Sequence, residues 1–305
     1  MQESRKAHDV TEPLDIGSDR FVCDLAADTP PAVEVTPGAT LRIRCRGALD
    51  YAVGPGPVRA PGPNPGTGPI AVAGARPGQA LVFDILEVAP ESPGHVSAGP
   101  GGGEEAVEIV GGRVRYRGIA VPLRPMIGVL GLAPESGAWN TMDAGPFGGN
   151  MDTSDLAAGA SVHIPVRQPS GRFIVGDVHA VMGDGEIGGQ GLECAATVTL
   201  RVGVRAEPVS DHVTIFRDDQ VMIVGTGETL ETAVCDAAGA MAALVARVTG
   251  LDDFAATKLL GLAGQTRFGQ HCCRIKTVRV AMPLELVPGL RAGRDSAEES
   301  DATST

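Results

Sequence analysis

Aromatic side chains are scarce: Phe, Tyr and Trp together make up 3% of the 305 residues, and Trp139 is the single tryptophan. Any core must therefore be built from aliphatic side chains. Lysine is scarcer still. Lys6, Lys258 and Lys276 are all there are, and none is near residues 145–193, which argues against a Ser-Ser-Lys hydrolase there. No basic run exists and the formal net charge is −12, which argues against a nucleic-acid partner, because phosphate contacts need clustered Lys and Arg. No apolar run reaches the ~18 residues of a spanning helix, and the polar start MQESRKAHDV has the pattern of neither a signal peptide nor an anchor. No membrane partner and a cytoplasmic location are expected. Cysteines 23, 45, 194, 235, 272 and 273 form no CxxC pair and no framework spacing, so they read as reduced, buried thiols.

Glycine and proline are plentiful instead, with 42 and 23 copies, the mark of many short strands joined by tight turns. Residues 40–46 alternate apolar and basic side chains strictly, which predicts a strand with Arg42, Arg44 and Arg46 on a solvated face. Strands are also predicted over 80–88, 194–202 and 274–284, with hairpins turning at Gly111-Gly112 and at residues 217–220, while 126–132 is an apolar run that leads into the polar stretch at 145–193. The Gly/Pro-rich residues 51–68 are read either as a site-lining loop or as a surface excursion. Residues 229–249 carry apolar side chains at helical spacing from Leu230 to Val248, and Gly250 stops them. A second helix is predicted from an Asp252 cap to Gly261. The expected organisation is a flexible start (1–20), a β-rich body (21–205), an α+β C-terminal portion (206–288) and a disordered tail (289–305).

The density of polar groups in residues 145–193 stands out, because a fold gains little from so many carboxylates beside glycine. In Gly148-Gly149-Asn150-Met151-Asp152, paired glycines allow close approach of a ligand while Asn150 and Asp152 supply directed polar groups. The run Phe173-Ile174-Val175 predicts a strand that aims Asp177 and His179 at one face. The turn Gly183-Asp184-Gly185-Glu186 can bring Asp184 or Glu186 back over that face. Oxygen and imidazole donors around one hollow suit zinc or a similar divalent ion. His95 reads as a loop histidine and His163 as a structural one. Trp139 reads as packing before recognition.

GGNMDTSDLAAGASVHIPV followed by GDVHAVMGDGE resembles the acetamidase/formamidase family, and residues 64–70 (NPGTGPI), 74–78 (GARPG) and 124–129 (RPMIGV) agree with it. The resemblance runs from about residue 31 to about residue 283. It implies hydrolysis of short-chain amides to ammonia and carboxylate, on a mainly β fold: a jelly-roll-like β-sandwich body with one or two helices near the C-terminus. Phe147 and Arg124 stand where many members carry other residues, often His in the second case.

Amide hydrolysis needs a nucleophile, an oxyanion stabiliser and an acid for the leaving amine. With the resemblance, this makes Asp152 and His179 the expected metal ligands, with Asp177 or Asp184 as a third. Glu186 is expected as general base and acid, with Asn150, Gly149 and Phe147 at the substrate. Glu193 reads as a supporting group that holds His179 or a loop NH. Asp155 reads as a turn or capping residue. A homo-oligomer is expected. The alternative is a non-catalytic β-rich protein that holds a small amide or a metal.

Overall fold

The computed structural model describes residues 12–50, 61–99 and 102–290. Short strands alternate with glycine turns throughout, and they assemble into two large sheets. The first has nine strands in the spatial order Leu14–Ile16, Thr40–Cys45, Ala196–Arg205, Ala80–Pro90, Ser161–Pro165, Thr214–Arg217, Gln220–Gly227, Lys276–Pro283 and Gln265–Phe268. Ser161–Pro165 pairs with both Ala80–Pro90 and Thr214–Arg217, so this sheet crosses residue 205 without a break. The second sheet has twelve strands, and its centre is Gly148–Asn150, Met126–Leu132, Phe173–His179 and Glu193–Cys194 side by side.

The inner faces of the two sheets meet in one aliphatic core, with Leu41, Ile43, Ile85, Val198 and Leu200 from the first against Ile70, Ile127, Leu130, Val175 and Val178 from the second. Phe83 and Phe173, one from each sheet, meet edge to face at 4.9 Å. Each such side chain stabilises the fold by roughly 1.5–3 kcal/mol on burial, which is how so few aromatics suffice. The architecture is the expected β-sandwich with two helices near the C-terminus.

Local signals held where the chemistry is local. Residues 40–45 alternate buried and exposed positions, and Arg42 and Arg44 on the wet face pair with Asp15 and Glu91. Gly111 and Gly112 both take positive φ at their hairpin, as do Asp218 and Asp219 at theirs. The long helix is Leu230–Thr249, capped by Thr229 and ended by Gly250 at φ 74°. It is long and apolar enough to cross a membrane, yet its Ala233, Ala237, Met241, Leu244 and Val245 stripe packs on the sheet beside Phe216, Ile223 and Val280.

Four expectations need correction. The second helix, Asp253–Ala263, runs through Gly261 and stops only at Gly264, because one glycine costs a helix about 1 kcal/mol and does not end it. Leu14–Ile16, in the segment expected to be flexible, is an edge strand parallel to Thr40–Cys45. His95 lies on the strand Gly94–Ser97 rather than in a loop. Cys235 and Cys272 are exposed, whereas Cys23, Cys45 and Cys194 are buried as expected. Of the 51–68 segment, residues 51–60 lie outside the described residues, and Gly66–Val72 is a buried strand. Residues 1–11 and the tail from 291 likewise lie outside them.

Candidate active site

The site forms where the strand Phe173–His179 meets Met126–Leu132. Their antiparallel register pairs Met126 with His179 and Val129 with Gly176, but skips Gly128 and Asp177. Asp177 takes φ 52° there, in the left-handed region, and turns its carboxyl to the side where His179 lies. A Cβ at Gly128 would fall 2.5 Å from Asp177 Oδ2 and 2.6 Å from Asp152 Oδ1. Bare backbone at Gly128 therefore makes the cradle in which two carboxylates sit. Gly149, paired with Leu130, has φ 89° and lets the chain pass within contact of the Asp143 carbonyl before delivering Asn150 and Asp152.

Around His179 Nε2 stand Glu193 Oε2 at 3.0 Å, Asp177 Oδ1 at 3.7 Å and Asp152 Oδ1 at 4.0 Å. Glu193 arrives from the neighbouring strand in direct register with His179. Glu186 closes the group: Asp152, His179 and Glu186 form one set able to hold a metal ion, and Asp177, His179 and Glu193 form another. All five are buried, none more than 6% exposed. Asn64 bridges the floor, donating to Asp177 Oδ2 at 2.9 Å and to Asn150 Oδ1 at 3.0 Å.

Electrostatics make this cluster costly as it stands. Burial, then the neighbouring Asp177 and Glu186 charges, push Asp152 well above the usual carboxylate range. Burial and Glu193 push Asp177 up to about 6, against the pull of His179. Burial raises Glu186, opposed by the Cys272 thiol that donates to it. Burial alone would lower His179, but Glu193 and Asp177 outweigh it and raise the imidazole well above its ordinary value. Four carboxylates share one imidazole, and Asp152 Oδ1, Glu193 Oε2 and His179 Nδ1 are buried with no hydrogen-bond partner among the described residues. A divalent cation accepted by hard oxygens and one imidazole matches this donor set. Asn64, Asp152, Asp177 and Glu186 also all hold positive φ, between 41° and 52°. Such backbone costs of order 1–3 kcal/mol each and collects at functional sites.

The cluster thus gathers Asp152, Asp177, His179 and Glu186, with Asn150 beside them, on the residues the sequence singled out, and Glu193 Oε2 stands 3.0 Å from His179 Nε2. Other expectations are not met. Asp184 does not turn into the cluster: Arg279 and Ser154 engage its carboxylate, and its side chain is 42% exposed. Asp155 pairs with Arg279 and Arg217 across the sheet rather than capping locally. Phe147 stacks on Trp139 at 4.7 Å within a small core of Leu25, Val129 and Ile174, so it packs rather than lines the cluster. His163 is structural as expected, buried against Phe216.

Three residues were not foreseen. Asn64 belongs to NPGTGPI, a stretch that supports the family resemblance but in which no residue was given a role. Cys272 and Cys273 come from the turn before the last long strand. Cys272 Sγ donates to Glu186 Oε2 at 2.9 Å, and Asn150 Nδ2 donates to Cys273 Sγ at 3.5 Å. The adjacent Cys273 and the Glu186 carboxylate both raise the Cys272 thiol, so it is held protonated as a donor.

Comparison with known proteins places this geometry in context. The model of the Acetamidase/Formamidase family matches residues 133–221, which include Asn150, Asp152, Asp177, His179, Glu186 and Glu193. A predicted formamidase of Schizosaccharomyces pombe is 37% identical over 65 residues, a match spanning 21% of this chain and 16% of that protein's length. The crystal structure of a predicted acetamidase/formamidase from Thermoanaerobacter tengcongensis superposes with a TM-score of 0.85 at 29% identity, covering 90% of this chain and 98% of that one. The crystal structure of an acetamidase from Bacillus halodurans superposes with a TM-score of 0.84 at 31% identity, covering 89% of this chain and 98% of that one. With a likeness of that identity running over nearly the whole of both chains, this chain belongs to the acetamidase/formamidase family.

Proposed function

We propose that this protein is an amidohydrolase that cleaves a short-chain aliphatic amide, of the formamide or acetamide kind, to ammonia and the carboxylate. The observation that carries the reading is the buried group of Asp152, Asp177, Glu186 and Glu193 around His179, with unpartnered donor atoms, in a chain of this family. A divalent ion held by Asp152 and His179, with Asp177 or Glu193 beside them and zinc the best match to the donors, would polarise the amide carbonyl and bring a water's pKa toward ~7.

The chain's own residues supply the rest. Asn64 fixes Asp177 and accounts for the Asn150 side-chain oxygen, which leaves Asn150 Nδ2 to exchange its weak Cys273 contact for the substrate carbonyl. Cys272 occupies Glu186 Oε2, so Glu186 Oε1 is the oxygen left to take the water's proton and pass it to the departing nitrogen. Burial of Glu186 raises its affinity for that proton, which suits both halves of the transfer. Glu193 holds His179 in orientation.

The contact between Cys272 and Glu186 supports a second reading, a cysteine nucleophile with Glu186 as its base. The raised thiol speaks against it, because the thiolate is the nucleophile. A cytoplasmic setting fits six free cysteines, two of them adjacent. Exposed Phe268 on the edge strand Gln265–Phe268, and exposed Phe254 and Leu262 on the helix Asp253–Ala263 that precedes it, favour association of copies of the chain.

Ammonia release from formamide and acetamide, with and without chelator, tests the proposal together with Glu186→Gln and Cys272→Ser. The expected result is turnover lost with chelator, lost in Glu186→Gln with metal still bound, and retained in Cys272→Ser. Full turnover by the chelated protein, abolished in Cys272→Ser, would replace this mechanism with the covalent one.

A further inference from the structure

Among the described residues Arg279 is the largest fully buried side chain, 1% exposed, and it lies on the last long strand. A lone buried guanidinium is costly unless every donor is used. Here each nitrogen has a partner. Nε donates to Asp155, Nη1 to the Phe268 carbonyl at 2.7 Å, and Nη2 to Asp184 at 3.0 Å and Ser154 Oγ at 3.1 Å. Ser154 Oγ in turn donates to Asp184 Oδ1 at 2.7 Å, tying the two acidic arms to each other.

The two arms lie on the two loops that build the site. Asp155 follows Asp152 in one loop, and Asp184 precedes Glu186 in the other. Both Asp152 and Glu186 sit at positive φ, conformations that a chain holds only when its surroundings impose them. Further bonds from the same region reinforce the link: Thr277 Oγ1 donates to the Met151 carbonyl at 2.7 Å, and Gly185 N donates to the Gly269 carbonyl at 2.9 Å. Asp155 receives a second, longer contact from Arg217 at 3.7 Å.

We propose that Arg279 is a positioning residue: through Asp155 it fixes Asp152, through Asp184 it fixes Glu186, and so it sets the separation between a metal-holding carboxylate and the acid/base carboxylate. This rests on the roles given to Asp152 and Glu186 above. The arms act on different quantities. The Asp155 arm governs how tightly the divalent ion is held, and the Asp184 arm governs proton transfer and hence kcat.

The experiment compares Arg279→Lys, Asp155→Asn and Asp184→Asn with wild type. It reads zinc affinity by competition with a chromophoric chelator, kcat and KM for formamide, and the thermal midpoint. Asp184 is part-exposed, so its variant should fold, keep zinc affinity within about threefold, and lose roughly tenfold or more in kcat at near-constant KM. Asp155→Asn should weaken zinc binding by about 10–100-fold, and Arg279→Lys, which keeps the charge but not the fork, should show both losses. Zinc affinity and kcat unchanged in Arg279→Lys would overturn the proposal. So would losses that follow the fall in thermal midpoint equally in all three variants, since that is what a purely structural residue gives. A wild type that binds zinc but releases no ammonia would sink the amidase reading and leave the affinity split between the arms to decide this one. A wild type that takes up no zinc overturns both.

Discussion

Replacing Gly128 by alanine asks whether two carboxylates need that empty space. The added Cβ would lie 2.5 Å from Asp177 Oδ2, 2.6 Å from Asp152 Oδ1 and 2.6 Å from the Asp177 carbonyl, where ordinary contact begins at 3.4 Å. Each oxygen must then retreat by about 0.8 Å, against a tolerance of about 0.2 Å in a metal–ligand distance. The carbonyl belongs to a strand core and cannot yield cheaply, so overpacking should also cost about 1–3 kcal/mol of stability. Zinc affinity is expected to fall by about 100-fold or more, read by chelator competition, while circular dichroism stays that of a β-rich fold. Gly239→Ala, on the long helix where a Cβ meets open space, is the control and should leave affinity unchanged. Wild-type affinity in Gly128→Ala would refute the assignment of Asp152 and Asp177 to one ion.

Two further outcomes follow from groups outside the cluster. Burial, helped by Arg205, lowers His163 from 6.5 to about 4. The unfolded chain then binds that proton before the folded one does, so stability is full above pH 6.5 and falls as pH drops toward 4, by about 3 kcal/mol at about 1.4 kcal/mol per pH unit. Urea midpoints of wild type and His163→Leu should diverge across this window, with the variant showing the shallower acid loss; parallel curves would show that His163 is not buried neutral. Phe147→Leu removes the ring stacked on Trp139 and should cost about 1 kcal/mol in a denaturant melt while leaving KM for formamide unchanged. A large rise in KM at unchanged stability would return Phe147 to the substrate pocket.

What was legible in the sequence was local. Strand alternation put Asp177 and His179 on one side, an outcome the chain reaches through a left-handed break at Asp177 rather than a regular strand. Paired glycines foretold the hairpin at residues 111–112, and a capped apolar stripe the long helix. Long-range chemistry was not legible in the same way. Asp155 and Asp184 each look like turn residues beside Ser or Gly, and only the pairing of Lys276–Pro283 with Gln220–Gly227 and Gln265–Phe268 puts Arg279 between them. Asn64 and Cys272 lie 86 residues from the partners they bond, Asn150 and Glu186, a separation no window of sequence spans. One such link was read from ligand chemistry instead: Glu193, expected to hold His179 or a loop NH, stands beside His179 because their two strands are in register, a pairing no local signal foretold. Phe147 was assigned to the substrate from its place before the glycine pair in the family pattern, which carries no information that Trp139 stacks on it.

The central claim is that Asp152 and His179 share a divalent ion with their neighbouring carboxylates. Elemental analysis of the purified protein and of Asp152→Asn and His179→Ala, each checked for fold by circular dichroism, tests it most directly. The account predicts about one ion per chain in the wild type and a loss of most of it in both variants. A folded wild type without bound metal, still able to release ammonia from formamide, would contradict it.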